Sequence, residues 1–146
     1  MPDYGIGVVC FGNVTYAPTA VFNLSILDTL VKLAGLKKRT MPPSAILEQR
    51  KQELVQLLPN WENAKQTGIF AENFFADYSL EALKKESASL YEKAGRITSV
   101  EQLVPENNLR GSYILKGEKA NLRVSFTLTP ENPSLIQEYH ITEIAK

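Results

Sequence analysis

Between Leu109 and Thr129, apolar and polar residues alternate. Leu109, Gly111, Tyr113 and Leu115 are interleaved with Arg110, Ser112, Ile114 and Lys116, and then Leu122, Val124, Phe126 and Leu128 with Arg123, Ser125, Thr127 and Thr129. Period two is the mark of half-buried strands. The Gly-Glu-Lys-Ala-Asn stretch from Gly117 to Asn121 predicts the turn that makes them a hairpin. A lone hairpin is marginal in water, so its apolar face requires a cover. A strand from Arg96 to Val104 precedes it and another from Leu135 to Ile144 follows it. On this last strand, alternation puts His140 on one face with Ile136, Glu138 and Thr142.

The cover is predicted upstream, where the apolar spacing lengthens to that of a helix. Ser44 is placed to cap a helix running through Leu58, with Ile46, Leu47, Leu54, Leu57 and Leu58 inward and Pro59 ending it. Ser79 is placed to cap another through Ala94, with Leu80, Leu83, Leu90, Tyr91 and Ala94 on one stripe and Gly95 closing it. Between them, Asn60-Trp61 reads as a turn, and residues 68–77 carry a dense aromatic group. Helices followed by an antiparallel meander make an α+β unit: helices packed on a roughly four-stranded antiparallel sheet.

The head of the chain has a different pattern. Residues 4–13, Tyr-Gly-Ile-Gly-Val-Val-Cys-Phe-Gly-Asn, are almost purely apolar and read as a strand buried on both faces, whose neighbours are missing from this chain. A helix from about Thr19 to Ala34, ended by Gly35, shows only a narrow polar stripe of Ser25, Asp28, Thr29 and Lys32. The wide remainder demands burial. Residues 37–43, Lys-Lys-Arg-Thr-Met-Pro-Pro, have linker chemistry. The expected division is therefore a fragment-like head at 1–36, a linker at 37–43, and an α+β module at 44–146.

Composition narrows the function classes. Sixteen basic and sixteen acidic residues cancel without a basic stripe, which argues against nucleic acid as a partner. One cysteine, Cys10, and one histidine, His140, offer neither a disulfide framework nor a zinc cluster, and no cofactor or metal is implied. No apolar run reaches the ~18 residues of a membrane span. No serine has a lysine three residues on, and neither a Tyr-x-Asn nor a Lys-Thr-Gly element is found, so the acyl-transfer constellations of that type are missing. Phe70, Phe74, Phe75, Tyr78, Tyr91, Tyr113, Phe126 and Tyr139 are candidates to line a pocket for a small apolar ligand, with Asp77 or Glu72 as an acid within it. Ordinary core packing accounts for the same rings better than a pocket does.

Residues 2–36, with Pro-Asp-Tyr-Gly-Ile-Gly-Val-Val and then Asn-Leu-Ser-Ile-Leu-Asp-Thr-Leu, resemble the closing strand and C-terminal helix of class C β-lactamase-like (penicillin-binding-protein-like) serine hydrolases. Residues 44–146, with Pro105-Glu-Asn-Asn-Leu-Arg-Gly and Thr127-Leu-Thr-Pro-Glu-Asn-Pro, resemble an accessory module appended to some of these hydrolases, similar in layout to the cone-shaped steroid-isomerase-like fold. The resemblance implies that the partner of this chain is an upstream hydrolase domain of the same polypeptide, in a periplasmic or cell-envelope setting. The family's serine, lysine, tyrosine and third motif have no counterpart here, so the resemblance implies no catalytic residue in this chain. Two rivals are an independent steroid-isomerase-like or polyketide-cyclase-like enzyme, with a carboxylate of raised pKa pointing into an apolar pocket, and a dimerisation module with a bare apolar sheet face.

Overall fold

A computed structural model describes residues 1–38 and 41–146. The chain divides into two units, residues 1–40 and 41–146. Among the described residues no helix is long and apolar enough to cross a membrane.

In the first unit, the expected strand at 4–13 is not formed. Pro2–Tyr4 make a single 3₁₀ turn closed by Gly5 at φ 66°, and the following residues run on without a ladder partner. The physical reason is nonlocal: a strand is stable only when a neighbour takes its N–H and C=O groups, and among the described residues this unit holds no second strand. Helix α1 spans Thr19–Leu33. Its end follows the expectation, with Gly35 at φ 58° and Leu36 N–H donating to Val31 O at 3.2 Å, the closure that a left-handed glycine allows. Of its residues only Leu27 is buried. Val21, Phe22, Leu24 and Leu33 are exposed.

The second unit is helices on an antiparallel sheet. Helix α2, Ala45–Leu57, starts at Ser44, whose Oγ accepts from Leu47 N–H at 3.3 Å and donates to Asn108 O at 2.7 Å, tying the helix start to the sheet. A short helix α3, Phe74–Asp77, lies within the aromatic stretch, and α4 spans Leu80–Ala94. Ser79 precedes α4, but its side chain makes no capping bond. Gly95, at φ 72°, ends it as expected.

The strands are β1 (Ile97–Val100), β2 (Val104–Asn107), β3 (Arg110–Gly117), β4 (Asn121–Leu128) and β5 (Ile136–Ile144). The strand expected over 96–104 thus stops at Val100, and a second, unexpected strand begins at Val104. Both pair antiparallel with the same edge of β3, so the sheet is four positions wide in the order β1/β2, β3, β4, β5. Leu103, in the interruption, is buried in the core, and that burial bends the edge away from a continuous ladder. On the far edge, Ile136 N–H donates to Ile69 O and Ala71 N–H to Ile136 O, so the chain at Phe70 extends the sheet by one parallel bridge.

Tyr113, Leu115, Leu122, Val124, Phe126, Leu128, Ile136, Tyr139 and Ile141 line the inner face and join Leu47, Leu54, Leu57, Trp61, Phe74, Leu83 and Ala94 in one core. Each large side chain buried this way contributes about 1.5–3 kcal/mol. Ile136 and Tyr139 share the inner face although an odd number of residues apart. Thr127 pairs with Glu138 and Leu128 with Ile136, so Gln137 bulges out of the ladder and inverts the alternation. This corrects the expected grouping of His140: Glu138, His140 and Thr142 remain together on the outer face, and Ile136 leaves them.

Candidate functional site

The residues expected to line an apolar pocket are spread through the core. Phe70 and Phe74 lie with ring centroids 4.5 Å apart, and Trp61 stands over them at 5.8 and 6.5 Å. Tyr139 meets Trp61 edge-on at 4.9 Å, and Tyr113 meets Phe126 at 6.4 Å. These are the separations of rings packed against one another. Tyr91, on α4, is half-buried, and burial pushes its phenol up to about 12. Asp77 and Glu72 are both exposed, and Asp77 accepts from Asn73 Nδ2 at 2.8 Å. Neither carboxylate points into the apolar interior.

Polar side chains converge instead on the outer face of the sheet. Cross-strand register puts Arg110 opposite Thr127 and Thr127 opposite Glu138, so three outward side chains stand in one row across β3, β4 and β5. Arg110 Nε donates to Thr127 Oγ1 at 2.9 Å, and that hydroxyl donates to Glu138 Oε2 at 2.9 Å. A guanidinium nitrogen of Arg110 lies 3.6 Å from the same carboxylate oxygen. Two residues further along β5, His140 Nε2 is 3.2 Å from Glu138 Oε1. In the next row Ser125 is paired with His140 and with Ser112. Glu106 completes a shallow cleft of about 210 Å³ with Arg110, Ser125, Phe126, Thr127, Glu138 and His140.

The electrostatics of this row have one clear centre. The Thr127 hydroxyl, the His140 hydrogen bond and, more weakly, the charges of His140 and Arg110 hold Glu138 below the ordinary glutamate value of 4.5. A carboxylate so stabilised is an orienting group for His140 rather than a proton acceptor. Although Ser125 and His140 face each other across the ladder, no hydrogen bond joins them, so Ser125 is not activated as a nucleophile in this arrangement. A second cleft, of about 330 Å³, adjoins the first through Arg110, Thr127 and Glu138 and is bounded by Asn73, Asp77, Tyr78 and Gln137. Asp77 is thereby brought to the outer face of the sheet. What this surface can do is bind a polar ligand through Arg110 and the carboxylates. Among the described residues no group of three His, Cys, Asp or Glu side chains is placed to hold a metal ion.

The depressed Glu138 pKa predicts a pH effect. A folded-state pKa below the unfolded one gives a contribution that is complete above the unfolded pKa and is lost as pH falls through the folded one. The thermal midpoint of the parent should therefore exceed that of Glu138→Gln near neutrality, and the difference should shrink as pH falls below 4.5. A difference that stays constant through the acid range would show that Glu138 is not held by this row.

Sequence reasoning identified Arg110 and Thr127 as outward-facing and put His140 with Glu138, but did not align them into one row. No protein-family model matches the chain, and no curated protein or solved structure is found similar to it.

Proposed function

We propose that this chain is the C-terminal part of a larger β-lactamase-like serine hydrolase, carrying the last strand and helix of its catalytic domain and an α+β accessory module. The chain contributes no catalytic residue. The module packs on the hydrolase, shapes access to its cleft, or binds a small ligand for it.

The observation that supports this most is the state of the head. Val9, Phe11 and Tyr16 are 78%, 93% and 98% exposed, and α1 presents Val21, Phe22, Leu24 and Leu33 to solvent. A contiguous stretch that is apolar in sequence and bare in structure is the signature of a surface that another body covers. The resemblance to a closing strand and terminal helix names that body as an upstream sheet domain. The rivals lack such support: the inner sheet face is covered by helices, contrary to a bare dimerisation face, and Asp77 and Glu72 are exposed, contrary to an acid inside an apolar cone.

The test is to read the coding sequence upstream of Met1 and assay the full reading frame with a chromogenic β-lactam and a short-chain ester. The expected outcome is an in-frame Ser-x-x-Lys, Tyr-x-Asn and His-x-Gly or Lys-x-Gly, with hydrolysis abolished when that serine becomes alanine and no hydrolysis by residues 1–146 alone. A stop codon directly upstream, together with a monodisperse folded 146-residue product, would overturn the proposal.

A further inference from the structure

Across the outer face of the sheet, register lines up Val104 on β2, Ser112 on β3, Ser125 on β4 and His140 on β5. Directly opposed residues of paired strands point to the same side, so these four make one row. Its two middle members are short. The rows on either side are longer, with Arg110, Thr127 and Glu138 on one flank and Ile114, Arg123 and Thr142 on the other. The profile is a furrow that crosses the strands, floored by serine hydroxyls and walled by charged side chains.

Three clefts join along this furrow. The one of about 210 Å³ at Ser125 shares Arg110, Thr127 and Glu138 with the one of about 330 Å³ beside Tyr78. It shares Glu106 with a further cleft of about 210 Å³ at the Val104 end, where Glu101, Gln102, Ser112 and Arg123 also stand. From β2 to β5 the furrow spans three inter-strand spacings, roughly 14 Å. That length suits a short chain of small units.

The lining selects the chemistry of the chain. One wall is held in place by its own bonds, Arg110 Nε to Thr127 Oγ1, Thr127 Oγ1 to Glu138 Oε2 and His140 Nε2 beside Glu138 Oε1. Glu106 and Ser125 stand outside that series of bonds, so their carboxylate and hydroxyl are left to a ligand. With Asp77, Glu101, Glu106 and Glu138 against Arg110 and Arg123, negative charge prevails along the three clefts, which opposes a polyanion. An added peptide strand needs a free backbone edge, whereas the floor strands β3 and β4 are paired on both sides. The ends are apolar: Val104 is 65% exposed, and the Tyr78 ring stands edge-on to His140 with centroids 6.4 Å apart.

We infer that this furrow binds a neutral oligosaccharide. A sugar chain carries hydroxyls on its rim and C–H groups on the faces of its rings, and it has no charge to set against the carboxylates. Ring hydroxyls donate to Glu106 and accept from Arg110 and Ser125, and C–H faces rest on Val104 and Tyr78. The inference deepens the ligand-binding role proposed for the module and does not require the parent to be a hydrolase. A result with residues 1–146 therefore stands whatever precedes Met1.

The test titrates the ¹⁵N-labelled 146-residue chain with cellotetraose, chitotetraose and maltotetraose, and separately with a sulfated tetrasaccharide and a capped uncharged tetrapeptide, following backbone amides by NMR. At least one neutral tetrasaccharide should shift the amides of Ser112, Ser125, Thr127 and His140 in a saturable way, with a Kd of about 1 mM or tighter. Arg110→Ala removes a charged donor, and Ser125→Leu fills the floor. Each should weaken that binding about tenfold or more while the remaining amide spectrum keeps its dispersion. Glu92→Gln, on α4 behind the sheet, should change nothing. Saturable shifts confined to other residues would overturn the inference, as would affinity untouched by both furrow substitutions. So would tighter binding of the sulfated sugar or the peptide at these amides, or the lack of saturable binding by all three neutral sugars.

Discussion

Trp61→Ala is expected to remove about 4 kcal/mol from the stability of the second unit, near the top of the range for truncating one buried side chain. Trp61 is fully buried and stands where the two halves of the core meet. Phe70 and Phe74 pack against its ring, and Tyr139 meets it nearly perpendicular at 4.9 Å. Its Nε1–H is matched by Ser87 Oγ of α4 at 2.8 Å. Alanine at this position removes the contacts with all three rings, opens a cavity that fixed neighbours cannot fill, and strips Ser87 of its donor. Against the 5–15 kcal/mol of an ordinary domain, that is a large share. Followed by far-UV circular dichroism, since the chain's one tryptophan is the residue replaced, the urea midpoint should fall by about 2 M with an unchanged slope. Trp61→Phe, which keeps a ring but leaves Ser87 unmatched, should fall in between, at about 1–3 kcal/mol. If alanine at 61 changed stability by less than ~1 kcal/mol, Trp61 would not be the keystone of this core.

Gly117→Ala should cost about 2–3 kcal/mol for the addition of one methyl group. Gly117 ends β3 where the hairpin turn passes under the C-terminus of α4. A Cβ there would lie 2.5 Å from Ala94 O and 3.0 Å from Ala94 Cβ, and would also collide with Ala120 O. The two oxygens are backbone atoms of segments tied to each other: Lys119 N–H donates to Ala94 O at 2.8 Å, so the turn caps the last carbonyl of the helix. Relieving the clash means separating helix from hairpin. Two controls give a graded series. At Gly111 a Cβ would meet Val104 O at 3.0 Å and the Leu47 and Leu103 methyls at 3.2 and 3.3 Å, two of them flexible ends, so alanine there should cost less. At Gly7 nothing lies within 4 Å, and alanine should be silent. Thermal melts of the three variants decide the matter, and a Gly117→Ala protein as stable as Gly7→Ala would show that the helix end and turn are not locked together.

Several elements could be read from local pattern because their causes are local. Ser44 before a run with helical spacing marked the start of α2, and Gly35 and Gly95 marked the ends of α1 and α4, since a left-handed residue after a helix is a property of a few adjacent peptides. The alternation of β3 and β4 also constrains their register. Tyr113, Leu115, Leu122 and Val124 share one face only in registers that pair odd-numbered residues with even-numbered ones, and the register formed, with Lys116 opposite Asn121, is one of these. That pairing makes the turn four residues, Gly117 to Ala120, rather than the five of the Gly-Glu-Lys-Ala-Asn stretch, because Asn121 is drawn into the ladder.

Other features depended on partners distant in sequence. The inward packing of Trp61 and of Ser87 was not legible, because a tryptophan in a turn and a serine on a helix become core residues only when each finds the other. Arg50 is buried for the same kind of reason: its Nε donates to Ser134 O, eighty-four residues away, at 3.0 Å. Asp77, expected as an acid inside the module, lies at the surface, and the polar row that does form is held by register across three strands.

Taken alone, the order of residues established the three long helices, which residues of the hairpin face inward, and that the second unit is α+β, because amphipathic periodicity and turn residues act over a few positions; the short helix α3 in the aromatic stretch was not among them. It could not establish the bulge at Gln137 that carries Ile136 inward, the end of the first edge strand at Val100 and the start of another at Val104, or the unpaired state of residues 4–13. Each of these depends on which backbone groups find a hydrogen-bond partner across the fold, and that is settled only when distant segments meet.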